Sequence, residues 1–219
     1  TFVQRYVIIM ESVEKRVAQL LLEIEAVQLN IERPFEWASG WLSPIYCDNR
    51  KVLSVPVVRD YICDALCRSI NQNYPSTDVI AGVATGAIAM GALIADRLKK
   101  PFIYVRPRRK DHGTGARIEG TLMPGSNVVV VEDLISTGHS AISATDCLKM
   151  ACANVLGVVA TFSYNFDVAR RAFEKSNCEL YTLTNYNTLI QEAADKNYVS
   201  KEQLETLNIW RLTPNTWGR

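Results

Sequence analysis

The sequence predicts an α/β fold built on a doubly wound, mainly parallel sheet, and three observations carry that reading. Short apolar runs recur along the chain, at 78–84 (DVIAGVA), 101–106 (PFIYVR), 128–131 (VVVV) and 155–162 (VLGVVATF). Segments with apolar residues at helical spacing separate them, and strands alternating with helices argue a parallel sheet covered on both sides. The four-valine run also ends in an acidic pair followed by a polar, glycine-containing loop and a further helix. That is how a parallel strand feeds the crevice at the carboxyl edge of such a sheet.

In chain order, residues 11–29 carry Val13, Val17, Leu20, Leu21 and Ile24 at a helical period. A turn-rich stretch follows at 32–50, ERPFEWASGWLSPIYCDNR, in which Ser39-Gly40 and Ser43-Pro44 are turn chemistry. Pro56 suits the first turn of the next helix, whose inner face is Val58, Ile62, Leu66 and Ile70. After the strand at 78–84, Thr85-Gly86 leads into a small-residue helix at 87–98. The strand at 101–106 runs into a polar loop at 107–117, PRRKDHGTGAR. Beyond 128–131 come a helix at 138–151, a strand at 155–162, a helix at 166–176 and a strand at 179–183. Two helical segments, 186–197 and 200–211, close the chain. No linker long enough to divide the chain is visible, so residues 10–219 read as one domain. Residues 1–9 read as an N-terminal extension, with Met10 a candidate natural start.

Composition narrows the classes. The 219 residues are 48% hydrophobic and 21% charged, as in ordinary soluble globular proteins. A formal net charge of +1 gives no global pull toward nucleic acid or membrane. No apolar run reaches the length of a membrane span, and residues 1–10 lack a signal-peptide pattern, so a cytoplasmic protein is expected. The six cysteines form no CxxC pair. They read as buried free thiols of a reducing compartment rather than metal ligands.

The stretch 127–142, NVVVVEDLISTGHSAI, holds the most chemistry. Backbone N–H groups at a helix N-terminus suit a phosphate. The carboxylates of Glu132 and Asp133 cannot hold a phosphate, so they point to sugar hydroxyls or a cation. A sugar phosphate with a metal follows as the first hypothesis, and an ordinary strand-to-helix turn as the alternative. Neither a Walker loop nor a GxGxxG fingerprint is present. The loop at 106–117 sets Arg106, Arg108, Arg109, Lys110 and Arg117 against Asp111 alone. Beside a phosphate-binding edge it reads as a mobile lid that brings cations onto a leaving group and excludes water. Taken alone it reads equally well as a solvated basic loop.

VVVVEDLISTGHSA closely resembles the phosphoribosyl-diphosphate motif of the type I phosphoribosyltransferases. FEWASGWLSPIYCDNR, GVATGAIAMGALIA and YVRPRRKDHGTGARIEG, in order and at suitable spacing, are similar to the orotate-specific branch of that family. The resemblance runs from about Met10 to the C-terminus. It implies the type I phosphoribosyltransferase fold, with a small hood built from the N-terminal region. It further implies transfer of a phosphoribosyl group from 5-phosphoribosyl diphosphate to orotate, Mg²⁺ on the pyrophosphate, and a homodimer whose lid loop reaches the neighbouring site. No nucleic-acid or membrane partner is implied.

The resemblance also implies site residues. Glu132 and Asp133 would face the ribose hydroxyls, and the backbone and hydroxyls of Ser136, Thr137, Gly138, His139 and Ser140 would hold the 5-phosphate, with Leu134 and Ile135 leading in. Ser136 matches a position that also meets orotate. Thr85 and Gly86, with Ala84, match the pyrophosphate loop. Arg106, Lys110 and His112 match pyrophosphate contacts, with Lys110, His112 and Asp133 as the catalytic set. Pro107 stands where many relatives carry lysine, and Arg108 is the substitute cation there. Tyr46 could lie over the flat base. No protein residue is expected to form a dedicated metal site. The chain departs from one branch at Ala38, where a lysine is common, and at Tyr164-Asn165, near an orotate-contacting arginine. Arg50 is a cation that could supply the missing charge. The rivals are a purine phosphoribosyltransferase and a non-catalytic regulator that senses phosphoribosyl ligands. The first has no reason to carry both the 39–50 and 110–113 patterns, and near-neutral charge disfavours the second.

Overall fold

A computed structural model describes residues 12–37, 40–108 and 117–217. In chain order the elements are α1 (Val13–Glu23), β1 (Val27–Leu29), β2 (Phe35–Glu36), β3 (Leu42–Ser43), β4 (Ile45–Cys47) and a 3-10 turn (Asn49–Ser54). Next come α2 (Pro56–Asn73), β5 (Val79–Val83), α3 (Ile88–Leu98), β6 (Phe102–Val105), β7 (Ile118–Glu119) and β8 (Asn127–Ile135). The chain continues through α4 (His139–Met150), β9 (Asn154–Ser163), α5 (Asp167–Lys175), β10 (Leu180–Asn185), α6 (Tyr186–Asp195) and α7 (Lys201–Leu212).

Six strands form one sheet in the order β10-β9-β8-β5-β6-β7, parallel throughout except for the short β7 at its edge. The chain goes from β5 outward to β6, then returns to place β8 on the other side of β5. That reversal opens a crevice at the carboxyl ends of β5 and β8, where the Ala84–Gly86 loop and the Glu132-Asp133 pair fall.

Successive side chains on a strand point to opposite faces, and both faces are covered. Val129 and Val131 join the core beneath α1, α2 and α3, with Ile62, Leu66 and Ile94. Val128 and Val130 join a second core beneath α4 and α5, with Ala141, Leu148 and Phe173. This two-sided burial explains the unbroken apolar runs, and the α/β fold expected from them is the one observed.

Three details differ from the sequence reading. The helical pattern over 11–29 stops at Glu23; Glu25 takes a left-handed φ of 54°, and Val27–Leu29 pairs antiparallel with Ile45–Cys47. The strand read at 128–131 runs on through the acidic pair to Ile135, because β9 accompanies it that far, with Glu132 opposite Ala160 and Ile135 opposite Ser163. The cysteines are free, but only Cys47, Cys63 and Cys67 are buried; Cys147 and Cys178 are half-buried and Cys152 is exposed, just past the end of α4.

The β1–β4 and β2–β3 ladders make the hood. Trp37 anchors it, with ring centroids 5.1 Å from Tyr164 and 5.8 Å from Trp210, whose own ring is fully buried. The Trp210 indole N–H donates to the Leu42 carbonyl at 3.1 Å, so the C-terminal helix pins the N-terminal hood.

Candidate active site

The acidic pair leaves β8 in two different settings. Glu132 is buried, and both its oxygens are engaged by the protein: one accepts from the Asp133 N–H at 3.0 Å, the other from the Ser140 hydroxyl at 2.9 Å. Burial, then the adjacent Asp133, pushes its carboxyl well above the usual range, against the two hydrogen bonds that favour the charged form. Asp133 is half-buried and lines the crevice. Its carbonyl accepts from the Asn49 side chain at 2.6 Å, which ties the hood to the acidic strand.

The crevice is a groove of about 360 Å³, bounded by Thr85, Gly86, Glu132, Asp133, Leu134 and Ser140, with Asp48 and Arg50 on the hood side. Gly86 lies so close to the Asp133 carboxylate that any side chain there would overlap it. The Ala84–Thr85 peptide bond is cis. Gly138 takes φ 78° to turn the strand into α4, a conformation that favours glycine. His139 is the first residue of α4 and is exposed, as expected for an outward-facing helix start.

A second cleft, of about 320 Å³, adjoins the groove and shares Cys47 and Leu134 with it. Glu36, Trp37, Tyr46, Ser136 and Tyr164 line it, so it offers aromatic walls, the Ser136 hydroxyl, two tyrosine hydroxyls and one carboxylate. Tyr46 is 41% exposed and its ring tilts against Phe35 at 5.6 Å, consistent with a face open to a planar ligand. Burial holds the Cys47 thiol well above its ordinary range, with Asp133 and Asp48 adding to the effect, which makes it a neutral wall rather than a nucleophile.

Arg106 and Arg117 form the base of the basic loop. The Arg106 N–H donates to the Arg117 carbonyl at 2.8 Å, the Arg117 Nε donates back at 2.9 Å, and a terminal Arg117 nitrogen donates to the Ser143 hydroxyl on α4 at 3.0 Å. Arg106 also pairs with Glu119 at 3.4 Å. With His139 and Ser140 they line a small cleft of about 120 Å³. Arg108 is exposed nearby; Lys110 and His112 lie outside the described residues.

The predicted residues therefore divide. Thr85, Gly86, Glu132, Asp133, Leu134 and Ser140 meet in the groove, Tyr46 and Ser136 in the adjoining cleft, and Arg106 and His139 at the loop base. Thr137 is half-buried between them in sequence. The Ile135 side chain is in the core and its carbonyl accepts from the Tyr164 N–H at 2.9 Å, which ties it into the sheet. Asn49 and Trp210 were not singled out from the sequence; the only signal for Asn49 was its place in the turn-rich stretch. Tyr164, noted there as a departure, proves to be a wall of the cleft. A larger cleft of about 770 Å³, between α5 and the β10 edge, holds none of the predicted residues.

A strand–loop–helix edge at the sheet's switch point, with carboxylates beside a glycine-turned helix start, defines an α/β sugar-phosphate-binding protein. The phosphoribosyl transferase domain family matches residues 60–196. The orotate phosphoribosyltransferase of Porphyromonas gingivalis is 48% identical over 209 residues, covering 95% of this chain and 100% of that protein. That of Listeria innocua is 49% identical over 208 residues, with 95% and 100% covered. The crystal structure of orotate phosphoribosyltransferase from Aeropyrum pernix superposes with a TM-score of 0.73 at 27% identity, covering 84% of this chain and 99% of that one. The chain belongs to the phosphoribosyl transferase domain family, within its orotate phosphoribosyltransferase branch.

Proposed function

We propose that the groove and the aromatic cleft together form the active site of a phosphoribosyltransferase acting on orotate, in the synthesis of pyrimidine nucleotides. The adjacency of the two cavities through Cys47 and Leu134 supports this most directly. The groove suits a phosphorylated sugar and the cleft a flat heterocycle, and their junction is where sugar and base would be joined. In the reaction, a bond forms between orotate N1 and the ribosyl C1. The C1–O bond to the diphosphate breaks, its electron pair leaves with pyrophosphate, and that leaving group takes up the proton displaced from orotate N1.

The chain's own residues supply position and charge. Backbone amides and hydroxyls from Ser136 to Ser140 hold the 5-phosphate at the α4 N-terminus. Asp133 faces the ribose hydroxyls, with Glu132 behind it bracing both the Asp133 amide and Ser140. The Asp133 carboxylate also tolerates the positive character that develops on the ribosyl ring. Tyr46 covers the base, with Trp37 and Tyr164 as the cleft wall behind it, and Ser136 hydrogen-bonds it. Arg106, with Lys110 and His112 from the loop, meets the pyrophosphate. No covalent nucleophile is required.

Mg²⁺ on the diphosphate would neutralise the leaving group. Among the described residues no group of three His, Cys, Asp or Glu side chains could hold a metal. Such an ion keeps most of its waters and binds through substrate phosphates and one or two carboxylates, for which Asp133 would be the partner. The same reading takes the chain as a homodimer sharing its lid loop, in a cytoplasmic setting that suits six free thiols. Among the described residues no helix is long and apolar enough to cross a membrane.

The test is consumption of orotate with 5-phosphoribosyl diphosphate and Mg²⁺, measured beside adenine, hypoxanthine and uracil. Turnover of orotate alone is expected; turnover of a purine without orotate would overturn the assignment. Sedimentation at working concentration tests the dimer.

A further inference from the structure

The groove presents a charge problem. Its described lining carries the carboxylates of Asp48, Glu132 and Asp133, yet it is to receive a polyanionic diphosphate ester. Among the described residues that line it, Arg50 is the only cation. Its guanidinium is held by Asp48, with Nε donating to one carboxylate oxygen at 2.7 Å and Nη2 to the other at 3.0 Å. Asp48 is itself fixed, since the same oxygen accepts the Arg50 backbone N–H at 3.2 Å and caps the 3-10 turn. A two-point clamp of this kind fixes the plane of the guanidinium. It leaves the second terminal nitrogen, Nη1, without a hydrogen bond to any described residue. The Arg50 side chain is 62% exposed, so that edge is reachable from solvent.

We propose that Arg50, oriented by Asp48, is a binding residue for the diphosphate of 5-phosphoribosyl diphosphate, across the groove from Thr85 and Gly86. The inference rests on the function proposed above. It also moves Arg50 away from the base: the arginine borders the groove with Asp133 and is not in the aromatic cleft, which is bounded by Trp37, Tyr46, Ser136 and Tyr164. The Asp133 carboxylate faces the same groove, as expected for a cation at its hood side. A planar guanidinium suits phosphate because it can donate two N–H groups at once, and lysine provides only a point charge.

The experiment compares wild type with Arg50→Gln and Arg50→Lys. Dissociation constants for 5-phosphoribosyl diphosphate, and for inorganic pyrophosphate alone, are measured by calorimetry, beside KM for each substrate. Arg50→Gln is expected to weaken both diphosphate ligands by about ten- to a hundredfold. Its KM for orotate and its melting temperature should stay near wild type, and Arg50→Lys should recover part of the loss. A rise in KM for orotate with diphosphate binding unchanged would instead make Arg50 the partner of the orotate carboxylate. No change in either constant would leave the Asp48 pair as a surface ion pair only. Both results overturn the proposal. The binding arm is read without turnover, so it remains informative if wild type fails to consume orotate, which would sink only the functional assignment.

Discussion

Gly86 and Asp133 are packed against each other with no space for a side chain between them. A Cβ on Gly86 would come within 2.6 Å of the Asp133 carboxyl carbon. The glycine therefore sets where the crevice-facing carboxylate can sit. Gly86→Ala should push Asp133 aside and lower kcat/KM by about a hundredfold, the scale of a one-ångström misplacement. The groove is half open, so the melting temperature should fall by only a few degrees. A variant with full activity would show that the position of Asp133 does not matter to the reaction.

Glu132 links stability to pH. Its folded-state pKa is raised, so over that interval the folded chain keeps a proton that the unfolded chain has lost. The stability it contributes is greatest below the unfolded carboxylate pKa, about 4.3, and declines as pH rises toward the folded value. Glu132→Gln removes this dependence and can still accept from Asp133 N–H while donating to Ser140. It should raise the melting temperature at pH 7, with the gain vanishing near pH 4, and it should lower activity. Melting curves across that range give the answer; a destabilised variant at pH 7 would contradict the sign.

Trp210 should be the costliest single truncation among the residues that hold the hood. Its ring is fully buried against Trp37, Tyr164, Phe166 and Tyr186. Trp210→Ala is expected to cost about 3–5 kcal/mol, measured by denaturant unfolding. Trp37→Ala, at the cleft wall, should add a rise in KM for orotate with little change in KM for 5-phosphoribosyl diphosphate.

Lys110 lies outside the described residues, and its prediction comes from the charge of its loop. Lys110→Ala should depress turnover far more than it lowers the melting temperature. Equal losses in both would mark the loop as structural rather than catalytic.

Much of this was written locally. Apolar runs of strand length between helical periods predict the sheet, because a strand covered on both faces needs apolar residues at every position. The 127–142 stretch places its acids and its helix start within a few residues of each other, so spacing alone suggests a sugar-phosphate site with an ordinary turn as the alternative, and the resemblance of the flanking motifs points to a phosphoribosyl group. The early end of α1 was not legible, since Val27 fits a helix face as well as a strand. Only the partner strand Ile45–Cys47 decides between them.

The sequence by itself determined the strand–loop–helix at the sheet's carboxyl edge, whose acids and helix start point to the class of chemistry proposed. The tertiary structure decided how the two acids divide their work: neighbours in sequence, one is turned inward onto Ser140 and the other outward into the groove. It decided too that Asn49 braces the acidic strand and that Trp210 holds the hood beside the aromatic cleft. These are contacts between residues far apart in the chain, fixed by packing and burial, and no local pattern encodes them.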